Sequence, residues 1–108
     1  MNITISEHPI INDVYWRADR YQLVSHPGSH FEVWVYRGAD LVLALSFRLG
    51  DTIWFVSRKS HRDHRGKLLR VTPQLGYVLD PWTGETRRLE LRRLAWSNIT
   101  KSLGPPHI

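Results

Sequence analysis

Apolar and polar positions along this 108-residue chain follow the period of two expected of β-strands. Residues 21–25 alternate and stop at His26-Pro27-Gly28, where proline removes a ladder donor and glycine permits positive φ; a turn is predicted there. From His30 the alternation is strong, with Phe31, Val33 and Val35 on one face and Glu32, Trp34 and Tyr36 on the other. Gly38-Ala39-Asp40 reverses the chain into residues 41–49, where Leu41, Leu43, Leu45, Phe47 and Leu49 all point one way, the pattern of a central core strand. Gly50-Asp51 turns into residues 52–57, an aromatic and β-branched run expected to pair with its predecessor as an antiparallel hairpin.

A polar loop is predicted over residues 58–67, then a short strand over 68–71 and a break at Thr72-Pro73. Residues 77–79 and 86–91 form a hairpin around Asp80-Pro81-Trp82-Thr83-Gly84-Glu85. A short helix is read over 12–19, capped by Asn12, and a second over 92–101 carrying Leu94, Ala95 and Trp96. The fold class is mainly β or β-rich α+β: a small antiparallel sheet, strongly bent or closed into a barrel, of six to seven strands with one or two short helices. One domain is expected over residues 1–103, with 104–108 a flexible tail. Its expected core is Phe31, Val33, Val35, Leu41, Leu43, Leu45, Phe47, Ile53, Phe55, Val78, Leu89 and Leu91.

Composition removes several functional classes. With no Cys there is no disulfide framework, thiolate zinc site, iron–sulfur cluster or Cys nucleophile. The longest apolar stretch, 41–47, is far short of the roughly 20 residues needed to span a bilayer, and no secretory leader is visible, so a soluble, cytoplasmic protein without membrane contact is expected. Asn2 and Asn98 each open an Asn-x-Thr triplet, an acceptor pattern relevant only to a secreted chain. The net charge of +5 is unevenly spread: residues 1–57 hold four bases against six acids, and residues 58–108 hold eleven against four. A positive field concentrated in one half attracts polyanions or an acidic protein face.

The charge points to specific residues. Arg58, Lys59, Arg62, Arg65 and Lys67 fall within ten positions, Arg70 follows, and Arg87, Arg88, Arg92 and Arg93 form a second cluster. Guanidinium forks pair with phosphate oxygens and release counterions from a nucleic-acid backbone. Trp34, Tyr36 and Trp82 are the candidate stacking platforms for single-stranded bases.

The histidines suggest a second chemistry. His26, His30 and Glu32 lie close in sequence, and His61 and His64 follow residue 57. Neutral imidazoles with a carboxylate suit a divalent transition metal. The spacing from His26 to Glu32 is similar to the first motif of the cupin family, and Gly50 with His61 eleven residues later resembles the second. That resemblance implies a metal site built from His30, Glu32 and His61, with His26 beside them. Gly28 stands where the family has its second histidine, Val56 and Arg58 replace the Pro and Gly of the second motif, and the spacer between motifs is too short for the family's extra hairpin. On those departures no tightly bound metal and no cofactor are expected. A metal-free nuclease using His61 or His64 beside Arg62 or Arg65 ranks third. The favoured reading is a non-enzymatic binding module whose basic half contacts an anionic partner, nucleic acid first. A small interaction or inhibitor protein, of the kind mobile elements encode, binding an acidic protein surface is the second.

Overall fold

The computed structural model describes residues 2–10 and 18–103. Among these the chain is mainly β, as expected, with eight strands and one helix: β1 (Thr4–Pro9), β2 (Arg20–His26), β3 (His30–Arg37), β4 (Asp40–Arg48), β5 (Thr52–Val56), β6 (Asp63–Val71), β7 (Leu75–Leu79), β8 (Thr86–Glu90) and α1 (Leu91–Leu103). The strands divide into two antiparallel four-stranded sheets, β1-β2-β3-β4 and β5-β6-β7-β8, each a meander. The helix expected over 12–19 falls largely outside the described residues, as does the tail 104–108.

The turn at Gly50-Asp51 does not close a hairpin between β4 and β5. It carries the chain from one sheet to the other: Gly50 N–H donates to the Leu68 carbonyl (2.7 Å), Leu68 N–H donates to Asp51 O (2.9 Å), and β5 then pairs with β6. Consequently β4 pairs only with β3 and is an edge strand, not the centre of the sheet. Leu43, Leu45 and Phe47 pack against the core only partly buried, and Leu41 is exposed. A bulge opposite Val35 and Tyr36 causes the last difference. Val42 is the extra residue, so Leu41 pairs with Tyr36 and shares its outer face.

Central positions fall to β2 and β3, where Tyr21, Leu23, Phe31, Val33 and Val35 are buried. From the second sheet Ile53, Phe55, Leu68, Val71 and Val78 join the same cluster, and from the helix Leu91, Leu94, Ala95 and Ile99. Those helical positions recur at i, i+3, i+4 and i+8, one stripe of a 3.6-residue repeat. Two inward glycines make room. A Cβ on Gly76 would lie 2.6 Å from Leu94 Cδ1; one on Gly66 would lie 2.7 Å from Val78 Cγ1 and 2.9 Å from Phe55 Cε1 and collide with the Leu79 carbonyl.

Helix α1 also finishes the open side of β5. The buried Asn98 carboxamide accepts from Trp54 N–H (3.1 Å) and donates to the Trp54 carbonyl (3.0 Å) and to Leu94 O (2.7 Å), standing in for a neighbouring strand. The triplet at Asn98 is thus a core feature rather than a modification site. In the first sheet, Asp19 holds the turn after β3 by accepting from Gly38 N–H (2.7 Å), and Arg20 donates to Gly38 O (2.7 Å).

Three outcomes follow from this packing. Gly66→Ala should destabilise by about 1–3 kcal/mol or more through overpacking, read as a thermal midpoint lowered by about 4–8 °C per kcal/mol; an unchanged melt would mean β6 is not seated on Phe55 and Val78. Asn98→Ala should cost about 1–3 kcal/mol by orphaning the Trp54 backbone groups, and Asn98→Asp more, because a carboxylate cannot donate to two carbonyls. The Gly38 N–H holds the Asp19 carboxyl below its usual 3.8 against the opposing effect of burial, which comes second, with the Arg20 contact adding to the lowering. A folded-state pKa below the unfolded one gives stability that is present above pH 3.8 and lost as pH falls through the lowered value. The stability gap between wild type and Asp19→Ala should therefore close in acid, which denaturant titrations at a series of pH values will show.

Candidate anion-binding surface

Residues expected to form one basic loop occupy two settings. Arg58, Lys59 and Arg62 are exposed in the β5–β6 turn. Arg65 and Lys67 instead belong to β6, which begins at Asp63 and also carries Arg70, so the loop is shorter than the sequence suggested. On β6 the inward positions Gly66, Leu68 and Val71 are buried while Arg65, Lys67 and Arg70 face solvent. A bulge at Leu69 resets the alternation, so that Arg70 pairs with Tyr77 and Tyr77 pairs with Arg88 on β8. Trp54 on β5 is the cross-strand partner of Arg65.

The outer face of the second sheet therefore carries four cations, Arg65, Lys67, Arg70 and Arg88, interleaved with Trp54 and Tyr77. The Arg65 guanidinium carbon lies 5.6 Å from the Trp54 ring centroid and that of Arg70 lies 5.2 Å from Tyr77. Lys101 reaches round from the last turn of α1 to the Trp54 ring (4.7 Å) and pairs with Asp63 (3.7 Å). Stacking uses the flat face of a guanidinium and leaves its N–H edge available to a phosphate. Among the described residues, none of the four cations has a carboxylate within ion-pair distance.

This face continues round edge strand β8 into a groove of about 840 Å³ between the end of β5 with its following turn, β8 and the first turns of α1. Arg58, Arg87, Arg88, Arg92 and Arg93 line it together with His61 and Trp96. Among the described residues its one acid is Glu90, which is engaged by Arg92. No acidic residue occupies the first turn of α1, so arginines crowd the positive end of the helix dipole, a placement that favours a bound anion. Tyr21 lies at the same groove. Burial pushes its phenol above 10, opposed by the nearby Arg92 charge, so it is a neutral hydroxyl donating to the Arg92 carbonyl (3.4 Å).

The aromatic platforms named from the sequence are placed elsewhere. Trp34 and Tyr36 lie on the outer face of the first sheet, where Arg20, above the Tyr36 ring (4.8 Å), is held by Asp19 (3.0 Å) and Glu7 (3.4 Å). Trp82 stands exposed at the β7–β8 turn, its ring 5.8 Å from His64. Trp54 and Tyr77, which sequence reasoning passed over, are the aromatics that meet uncompensated arginines; their signal was the register of Trp54 with Arg65 once β6 is extended back to Asp63. The two candidate nuclease histidines have different neighbours: His61 lines the groove and His64 bonds Ser60 Oγ (2.8 Å).

Of the cupin-like set, His26, His30 and Glu32 converge, and His61 is not among them. Comparisons of this chain with protein-family models, curated proteins and solved structures found no match.

Proposed function

We propose that the protein is a nucleic-acid-binding module that holds a single strand against the outer face of its second sheet, with the arginine groove taking the phosphates beyond β8. The observation that carries this reading is the pairing of exposed arginines with aromatic rings on one sheet face, Arg65 with Trp54 and Arg70 with Tyr77. Flat rings accept bases of any sequence, and flanking cations follow the backbone, the combination used for sequence-tolerant single-strand binding. A duplex presents its bases already stacked, so rings on an open sheet give it nothing that phosphate contact alone does not. The groove supports the reading through charge: five arginines against one engaged acid make a site that repels cations and attracts phosphate.

Anisotropy titration of labelled single- and double-stranded oligonucleotides at two salt concentrations tests this. Wild type should bind single strands more tightly, with a steep logarithmic dependence on salt. Arg65→Ala/Arg70→Ala should lower the slope by about 1.4, since each phosphate contact on a single strand contributes about 0.7. Both arginines are exposed, so the double variant should melt close to wild type. Trp54→Ala should weaken binding by about 1–3 kcal/mol with little change in slope, because it removes stacking rather than charge. Absence of binding by wild type at low salt, or an unchanged slope in the double variant, would overturn the proposal and leave an acidic protein surface as the partner this field suits.

A further inference from the structure

We infer that the β2–β3 hairpin of the first sheet is a binding site for a divalent transition-metal ion, zinc foremost, formed by His26, His30 and Glu32. Sequence spacing alone argued against a metal, because the cupin-like arrangement lacked a histidine at Gly28. Hairpin register supplies a different set. His26 and His30 are cross-strand partners on either side of the turn, and Glu32, two residues past His30, emerges on the same face. One ligand atom from each lies within 4.8 Å of the other two.

The geometry is close to what a metal requires. Imidazole nitrogen and carboxylate oxygen bind zinc at about 2.0–2.2 Å, which sets ligand atoms about 3 Å apart. His26 Nε2 and Glu32 Oε2 are already at 2.7 Å, sharing a proton that an ion would displace. The His26 and His30 rings stack at 4.0 Å and 12°, so their in-plane lone pairs run parallel, and His30 must turn out of the stack to reach the ion held by His26 and Glu32. Ser29 Oγ lies 2.9 Å from His30 Nδ1; as acceptor there it leaves the Nε2 lone pair for the metal, the second contact that ligating histidines ordinarily make. All three side chains are half-buried on an outer sheet face, anchored by strand pairing yet open to solvent on one side. Arg48 on β4, opposite His30, is the cation of the adjoining strand. Two imidazoles and one carboxylate favour zinc, nickel or copper over magnesium and calcium, which take oxygen ligands.

The test uses the full chain without a histidine tag, stripped with chelator and titrated with Zn²⁺ by calorimetry. One ion should bind per chain, raising the thermal midpoint, while Mg²⁺ should not bind. Glu32→Gln and His30→Ala should each weaken Zn²⁺ by tenfold or more, and Ser29→Ala by about tenfold, whereas His61→Ala should bind as wild type does. Because protons and metal compete for the same lone pairs, affinity should fall in acid. Melting curves of the metal-free variants separate loss of the site from loss of fold, and Glu32→Gln keeps the shape of the side chain. No saturable Zn²⁺ binding by wild type, or equal affinity in Glu32→Gln and His30→Ala, would overturn the inference. Neither result bears on the basic face, which shares no residue with this hairpin.

Discussion

Strand β6 is the constraint on which the arrangement turns. Its inward residues, Gly66, Leu68 and Val71, pack against Phe55, Val78 and the helix-bearing core, and its backbone ties the sheets together. Leu68 exchanges both backbone hydrogen bonds with the Gly50-Asp51 turn, and the Val71 carbonyl accepts from Gly28 N–H in the β2–β3 turn (2.8 Å). Next to it, buried Ser25 donates to the Thr72 carbonyl (2.8 Å). With the inward set fixed, the pleat leaves Arg65, Lys67 and Arg70 no direction but outward. The basic face is thus a consequence of core packing on the other side of the same strand.

That strand is also where sequence reading was weakest, for a physical reason. In a sheet with one solvated face, a strand announces itself through its inward residues, and here the early inward positions are His64 and Gly66. Neither is large and apolar, so the alternation vanishes and the segment reads as a polar loop. The same logic explains the successes. In β3, Phe31, Val33 and Val35 are all inward and fully buried, and the turns at Gly28, Gly38, Gly50 and Gly84 all use positive φ. Residues 41–49 misled in the opposite direction: five large apolar residues suggested a central strand, but a one-residue bulge turns Leu41 outward and the sheet ends there. Strand β1, with polar residues at most positions, went unread. Of the site, charge was legible and partners were not, because a ring meets a guanidinium through cross-strand register, which spacing along the chain does not encode.

Charge asymmetry along the chain becomes asymmetry in space because each half builds its own sheet. Residues 1–51, with four bases against six acids, carry β1 to β4, and residues 52–108, with eleven against four, carry β5 to β8 and α1. The contrast between Arg20 and Arg65 shows what this does to chemistry that is locally alike. Both sit over aromatic rings on outer sheet faces, but Arg20 is neutralised by Glu7 and Asp19, whereas among the described residues Arg65 has no carboxylate within ion-pair distance. The same pairing of guanidinium and ring is a neutralised structural clamp in the first sheet and an uncompensated charge in the second.

The groove carries a cost that the fold does not need. Cations at the positive end of a helix are unfavourable by about 0.3–1 kcal/mol each when exposed, and α1 opens with Arg92 and Arg93 and no acid in its first turn. Arg92 is compensated by Glu90, and among the described residues Arg93 has no carboxylate within ion-pair distance. Packing of Leu91, Leu94, Ala95 and Ile99, together with the Asn98 bridge to Trp54, holds the helix in place despite that repulsion. Because α1 is secured by its buried stripe and by Asn98, its first turn tolerates residues chosen for something other than stability. A bound phosphate would reverse the sign of the penalty, because the arginines that repel one another there would each attract it.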